Sequence, residues 1–311
     1  MLHLRLITPA GTTDDVVRLI EKTVGTTHLA VLPGAARNPA GDVVMCDVAR
    51  EAGDELIDRL KDLGIDESGA ITVENIDLSL SKHADQAEED APGEGADAVI
   101  WEQLVDATHE ESTLSVTYLA FMVIATMIAA CGVVLDNAIL IVGAMAVGPD
   151  FGPVAGVCTS LVRRAPRLAL RSVVALLVGF AVSMLVTVGF SYFMDAVHLF
   201  SDAGLKGDNR PNTSFIYNPD WFSFVVAVLA GIAGTLSLTS AKSGALVGVA
   251  ISVTTVPAAA NAAVAFSYSE YKQAWGSTEQ LLLNLLGIVL AGTLTLVIQK
   301  ILWRRARRSA P

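Results

Sequence analysis

The residue with the most to say chemically sits where charge is expensive. Asp150 lies inside the run Gly148–Pro153 (GPDFGP), within the apolar stretch of residues 138–162. A carboxylate at the centre of a bilayer costs about 2.5–3.5 kcal/mol on insertion scales, so such groups as a rule face a pathway and hold an ion or a proton. Pro149, Gly152 and Pro153 flank it, and prolines remove backbone donors and break helices. A second break falls in residues 244–268, at Thr254, Thr255 and Pro257, with Asn261 one turn on. Broken helices are tolerated at membrane depth where the freed backbone faces protein or a water-filled cavity. Asp150, Pro149, Gly152, Pro153, Thr254, Thr255, Pro257 and Asn261 are therefore the candidate ion or solute pathway. Two roles are open to Asp150: it binds what passes, or it caps the half-helix that follows the break.

A second candidate lies near the N-terminus. The segment Gly34–Gly41 joins two apolar stretches, and its Gly34, Arg37, Asn38 and Gly41 have the makings of an anion cradle, for example for a nucleotide phosphate. The competing reading is a solvated loop, and no Walker-type motif accompanies it. No catalytic cluster stands out, because His3, His28, His83, His109 and His198 are scattered. Cys46, Cys131 and Cys158 lack metal or redox spacing and read as small buried hydrophobes. The expectation is a protein without catalytic residues or a bound metal.

The elements that position these residues divide the chain. Residues 1–113 carry 8 basic and 24 acidic side chains, net −16, whereas residues 114–311 carry 13 and 8, net +5, which together make the overall −11. Such asymmetry argues for two differently solvated regions, and the acidic half excludes nucleic acid as a partner. In residues 1–80, alternation at Leu2, Leu4 and Leu6 predicts a strand. Val16, Val17, Ile20 and Val24 predict a helix, as do Leu56, Ile57, Leu60 and Leu63. His28–Pro33, Asp42–Ala49 and Ile71–Ile76 complete the order βαββαβ, the ferredoxin-like motif shared in topology with ACT-like and PII-like regulatory domains. Residues 81–113 read as an acidic linker over 82–97 followed by a short amphipathic juxtamembrane helix around Val99, Ile100, Trp101 and Leu104.

Residues 114–303 read as an all-α polytopic bundle of about six helices, each near the 20 residues a span requires. The runs are 116–135, 138–162, 172–194, 222–240, 244–268 and 281–303, with a basic tail at 304–311. With the N-terminus inside, the cytosolic segments carry ten Lys and Arg and the outer loops three, Lys206, Arg210 and Lys272. The bias obeys the positive-inside rule and predicts a multi-pass protein of the cytoplasmic membrane with both termini cytosolic. The N-terminal residues have no signal-peptide pattern, which agrees.

Asn137–Met145 aligns without gaps on Lys242–Ala250, an offset of 105 residues that also places Asp150 on Thr255. Three spans per unit would set the second unit upside down. Inverted repeats with matched breaks point to a midplane transport site.

Glu111 and Ser112 before the first span, the run Ile141–Met145 leading to Pro149, Gly152 and Pro153, and the run Leu246–Ala250 leading to Val256 and Pro257 form a signature. It resembles the uncharacterised hydrophobic domain family, a prokaryotic family of polytopic membrane proteins with a domain of unknown function. The resemblance covers roughly residues 98–265 and implies a helical bundle without an assigned substrate. Family members typically have an apolar residue where this chain has Asp150. The expected function is a transporter or channel-like protein for a small solute or ion, regulated by the cytosolic domain. The alternative is a membrane-anchored sensor or scaffold whose soluble domain binds a nucleotide or small metabolite. Expected partners are the lipid bilayer, the solute or ion, and further copies of the chain.

Overall fold

The computed structural model describes residues 1–93, 95, 98–200, 210–240 and 255–309. Two compact units are present, one built on Met1–Gln103 and the other on Leu104–Leu238 and the later spans up to Ile298.

The first unit is a small sheet with helices. Its elements are β1 (Leu2–Thr8), α1 (Thr13–Lys22), β2 (Thr26–Arg37), β3 (Ala40–Val48), α2 (Arg50–Asp62), the short α3 (Ile65–Ser68), β4 (Ala70–Asn75) and α4 (Lys82–Asp90). The four strands lie in the order β2-β3-β1-β4. Every pairing is antiparallel, with Leu2 opposite Val48 and Thr8 opposite Asp42. Period-two alternation buries Leu2, Leu4, Leu6, Val44, Cys46 and Val48 on one face, against Val16 and Ile20 of α1 and Leu56, Ile57 and Leu60 of α2.

Two expectations need correction here. The segment Gly34–Gly41 is not a long loop: β2 runs on to Arg37, opposite Ala40, so the turn is confined to Asn38 and Pro39. The pairing shifts register between Leu32 and Ala36, and Gly34 has φ +60°, so the glycine marks a bulge in a continuing edge strand. The acidic linker is also partly helical. Ser81 caps α4 by accepting from the Ala84 amide at 3.4 Å, and Ala84 and Ala87 are buried. Two alanines three apart suffice for a contact stripe while the charged positions stay in water.

The second unit is helical. After α5 (Trp101–Glu111) come α6 (Val116–Val134), α7 (Ala138–Val147), α8 (Phe151–Arg163) and α9 (Pro166–Ala196). A turn of 3-10 helix at Ser214–Ile216 leads to α10 (Trp221–Thr239), α11 (Val256–Ser267) and α12 (Tyr271–Ser309). Among the described residues, α6, α9, α10 and α12 are long and apolar enough to cross a membrane, with mean hydropathy of 2.0 to 2.5. The pair α7 and α8, bent by 55° at the break Gly148–Asp150, makes a fifth if it is counted as one span. The last helix, α11, is shorter, and residues 241–254 before it lie outside the described residues. Large apolar side chains such as Leu177, Leu185, Leu282 and Leu290 stand exposed, which a water-facing surface does not favour.

The helix starts recur at one spacing. Val116 and Trp221 begin α6 and α10, Phe151 and Val256 begin α8 and α11, and Pro166 and Tyr271 begin α9 and α12. Each pair is 105 residues apart, the separation of Asp150 and Thr255. Both α6 and α10 are 19 residues long.

Candidate functional site

Asp150 occupies the position before α8, and Thr255 the position before α11. Both are buried, at 2% and 0% exposure. The Thr255 hydroxyl donates to Asp150 Oδ2. Asp150 makes no capping bond to its own helix, since its backbone is already in the αR region. Of the two roles open to it, capping is therefore not the one its side chain performs. The two break positions instead meet each other.

Gly152 and Pro153 open α8 and are buried. Gly152 packs under Glu111, leaving no room for a side chain, and burial pushes the Glu111 carboxyl above the usual range. On the other break, Pro257 and Ala258 line a cavity of about 280 Å³ together with residues of α10 and α12. Pro149 lies in the break itself, and Thr254 lies outside the described residues.

Asn261 is fully buried and bridges two groups. Its Nδ2 donates to Ser277 Oγ at 2.6 Å, and its Oδ1 accepts from both terminal nitrogens of Arg210 at 3.3 Å. Arg210, counted in the sequence only as an outer-loop cation, is 3% exposed. It also donates to Gln273 Oε1 at 2.8 Å and to the Val133 carbonyl at 3.4 Å, and its guanidinium lies 4.9 Å from the centre of the Tyr217 ring. Its Nε is buried without a hydrogen-bond partner, and burial lowers its pKa. The neighbouring chain is pinned as well: Asp136 accepts from Thr213 Oγ1 at 2.8 Å and Asn212 Nδ2 at 3.1 Å. The signal that would have found Arg210 is the uncharged amide of Asn261 inside the otherwise apolar helix α11.

The contacts at matched positions agree across the 105-residue spacing. Ser115 accepts from the Tyr118 amide at 3.0 Å to cap α6, and Asp220 accepts from the Ser223 amide at 2.7 Å at the start of α10. Gly156 of α8 lies against Ser172 of α9, and Asn261 of α11 bonds Ser277 of α12.

The four soluble-domain candidates are less convergent. Gly34 donates its amide to Asp42 Oδ1 at 2.7 Å, and Thr13 Oγ1 donates to Asp42 Oδ2 at 2.7 Å. These bonds, the Thr13 hydroxyl first, hold the Asp42 carboxyl below its usual range. The amide proposed for an outside anion thus already serves an internal one. Gly41 lies so close to the Thr8 carbonyl that no side chain fits, which is a strand-packing requirement. Arg37 and Asn38 are exposed at the hairpin tip.

These features define a protein with apolar helices compatible with a membrane, in which the residue before α8 is hydrogen-bonded to the residue before α11. Residues 145–290 match the family model described as Domain of unknown function (DUF389). This agrees with the resemblance carried by the stretches around Met145, Pro153 and Pro257. An uncharacterized protein of Methanocaldococcus jannaschii is 22% identical over 238 residues, covering 76% of this chain and 70% of the relative. No solved structure matches the chain.

Proposed function

We propose that this protein is a transporter or channel-like protein of the cytoplasmic membrane, with a small solute or ion passing the centre at Asp150 and Thr255. The observation that carries the reading is the hydrogen bond between the two break positions. In an inverted repeat, equivalent residues are exchanged by a two-fold axis lying in the membrane plane, and equivalents that touch must lie on that axis, at mid-depth. The equal spacing of helix starts, caps and helix-packing contacts supports two inverted three-helix units, α6 to α9 and α10 to α12. A buried carboxylate at such a point is suited to hold a proton or cation in transit. The cationic segment around Arg163, Arg164 and Arg167 supports a cytosolic placement of both termini. The N-terminal unit, with the strand order of a ferredoxin-like domain, would then be a cytosolic regulator, and copies of the chain would associate in the membrane.

The test is charge movement on a solid-supported membrane carrying the full-length protein, with a panel of monovalent ions and small charged solutes. A solute-dependent current that disappears in Asp150→Asn is the expected result. Currents equal to protein-free membranes for the whole panel would remove the transport reading.

A further inference from the structure

The cavity beside Pro257 is lined by three polar side chains among the described residues. Asp220, Ser223 and Gln280 line it, and its walls are otherwise apolar, Phe215 and Phe222 among them. Asp220 Oδ1 already accepts from the Ser223 amide and, at 2.8 Å, from the Ser223 hydroxyl. Those bonds, the amide first, hold its carboxyl below the usual range, so it is anionic at neutral pH. Ser223 spends its hydroxyl proton on that bond, so what it has left to offer is lone pairs. Gln280 is 3% exposed; its Nε2 donates to Asn284 Oδ1 at 3.3 Å, while its Oε1 is buried with no hydrogen-bond partner. Among the described residues, no Lys, Arg or His lines the cavity. Asp220, Ser223 and Gln280 Oε1 thus offer lone pairs, Gln280 Nε2 keeps one further N–H, and the Oε1 is an orphan that costs free energy for as long as nothing donates to it.

The matched position in the other half carries a bulkier side chain. The position 105 residues before Ser223 is Tyr118, and the one before Gln280 is Ala175. There the Tyr118 ring is buried, its hydroxyl donates to the Ala175 carbonyl at 3.1 Å, and it packs on Gly179. A buried phenol thus stands at the position that Ser223 holds beside the cavity.

We infer that this cavity binds a small organic ammonium ion, its N–H groups donating to Gln280 Oε1 and Asp220 and its apolar body lying between Phe215, Phe222 and Pro257. A cation with an apolar body meets all three requirements at once: donors for orphan acceptors, charge for a carboxylate, and aromatic walls. The inference deepens the transport reading by naming a solute class, and rests on it only for the claim that the bound ion moves on.

Binding is measured by calorimetry on the full-length protein in lipid nanodiscs. The probe is phenethylammonium, with 2-phenylethanol and 3-phenylpropanoate as neutral and anionic controls. The expected result is saturable binding of the ammonium, at least tenfold tighter than either control. Asp220→Asn, which keeps a capping side chain, and Gln280→Leu are each expected to weaken it tenfold or more. Ser223→Phe, which places a ring where Tyr118 stands in the other half, is expected to abolish binding with an unchanged melting temperature. Equal binding of all three probes, no saturable heat up to millimolar ammonium, or binding indifferent to Asp220→Asn and Ser223→Phe would overturn the inference. Binding without charge movement would remove transport and leave this site standing. Charge movement without ammonium binding would do the reverse.

Discussion

Replacing Asp150 by Asn separates a functional carboxylate from a structural one, because the two give opposite signs in stability. The amide is isosteric and its Oδ1 still accepts from the Thr255 hydroxyl, so the joint between the breaks keeps its geometry. What changes is the charge. A carboxylate at the bilayer centre costs about 2.5–3.5 kcal/mol on insertion scales. Burying the amide instead costs roughly 1 kcal/mol on scales that allow partial hydrogen bonding. The bond to Thr255 loses its charge assistance, which halves its strength and forfeits about 1 kcal/mol. The balance is a gain of about 1 kcal/mol for Asp150→Asn. For a unit of this size that is a rise in melting temperature of about 2–4 °C. Thermal unfolding of the full chain in nanodiscs reads it, beside charge movement on supported membranes. The expected pair is a higher melting temperature with no charge movement, the trade between stability and activity typical of a working site. A fall of several degrees would show that the carboxylate is held charged for the sake of the fold, and the pathway argument would fail with it.

Three further outcomes follow from particular contacts. Gly156→Val drives side-chain atoms into Ser112 and Ser172, so it should cost at least the 1–3 kcal/mol typical of overpacking, and Ser172→Ala should recover part of the loss in a thermal-shift assay. Arg210→Met leaves the acceptors Asn261 Oδ1 and Gln273 Oε1 without their donor, at about 1–3 kcal/mol for each that stays unsatisfied. Its melting temperature should fall, and Arg210→Lys, with one ammonium in place of a fork, should not restore it. Asp42 has a depressed carboxyl pKa in the folded protein, so its bonds stabilise above its unfolded value near 3.9 and are lost as pH falls through the folded value. Amide exchange at Gly34 should accelerate in that acid window, and Thr13→Val should shift the acceleration to higher pH.

Local pattern was legible where one face of an element is wet. The alternation Leu2, Leu4, Leu6 and the stripe Leu56, Ile57, Leu60 declare their burial, and both lie in the core of the first unit. The break at Pro149 was legible because proline chemistry is local. Other features depended on what neighbours supply. The strand through Gly34 continues because β3 pairs with it as far as Arg37, which no residue of β2 announces. The helix over Lys82–Asp90 rests on two buried alanines that composition alone treats as neutral. Arg210 carries a residue type whose average position is exposed, and only the acceptors on two distant helices reverse that.

Helix starts in the second unit recur at a spacing of 105 residues although the residues at them differ. The match read from residues 137–145 falls on 242–250, outside the described residues, and is built from common membrane amino acids. The stronger correspondence lies where the residue types differ. Ser115 and Asp220 are different side chains performing one cap, and Gly156 and Asn261 are different ways of meeting a serine on the next helix. Selection for a helix start or a close approach constrains the physical role and leaves the residue free. Tyr118 fills its pocket and Ser223 leaves its pocket open, so a bundle of two like units presents a cavity beside one break and a packed ring beside the other. An inverted pair that passes a solute must at any moment be open on one side and shut on the other. On the transport reading proposed above, Tyr118 and Ser223 are the positions at which the two sides of the bundle would differ in packing.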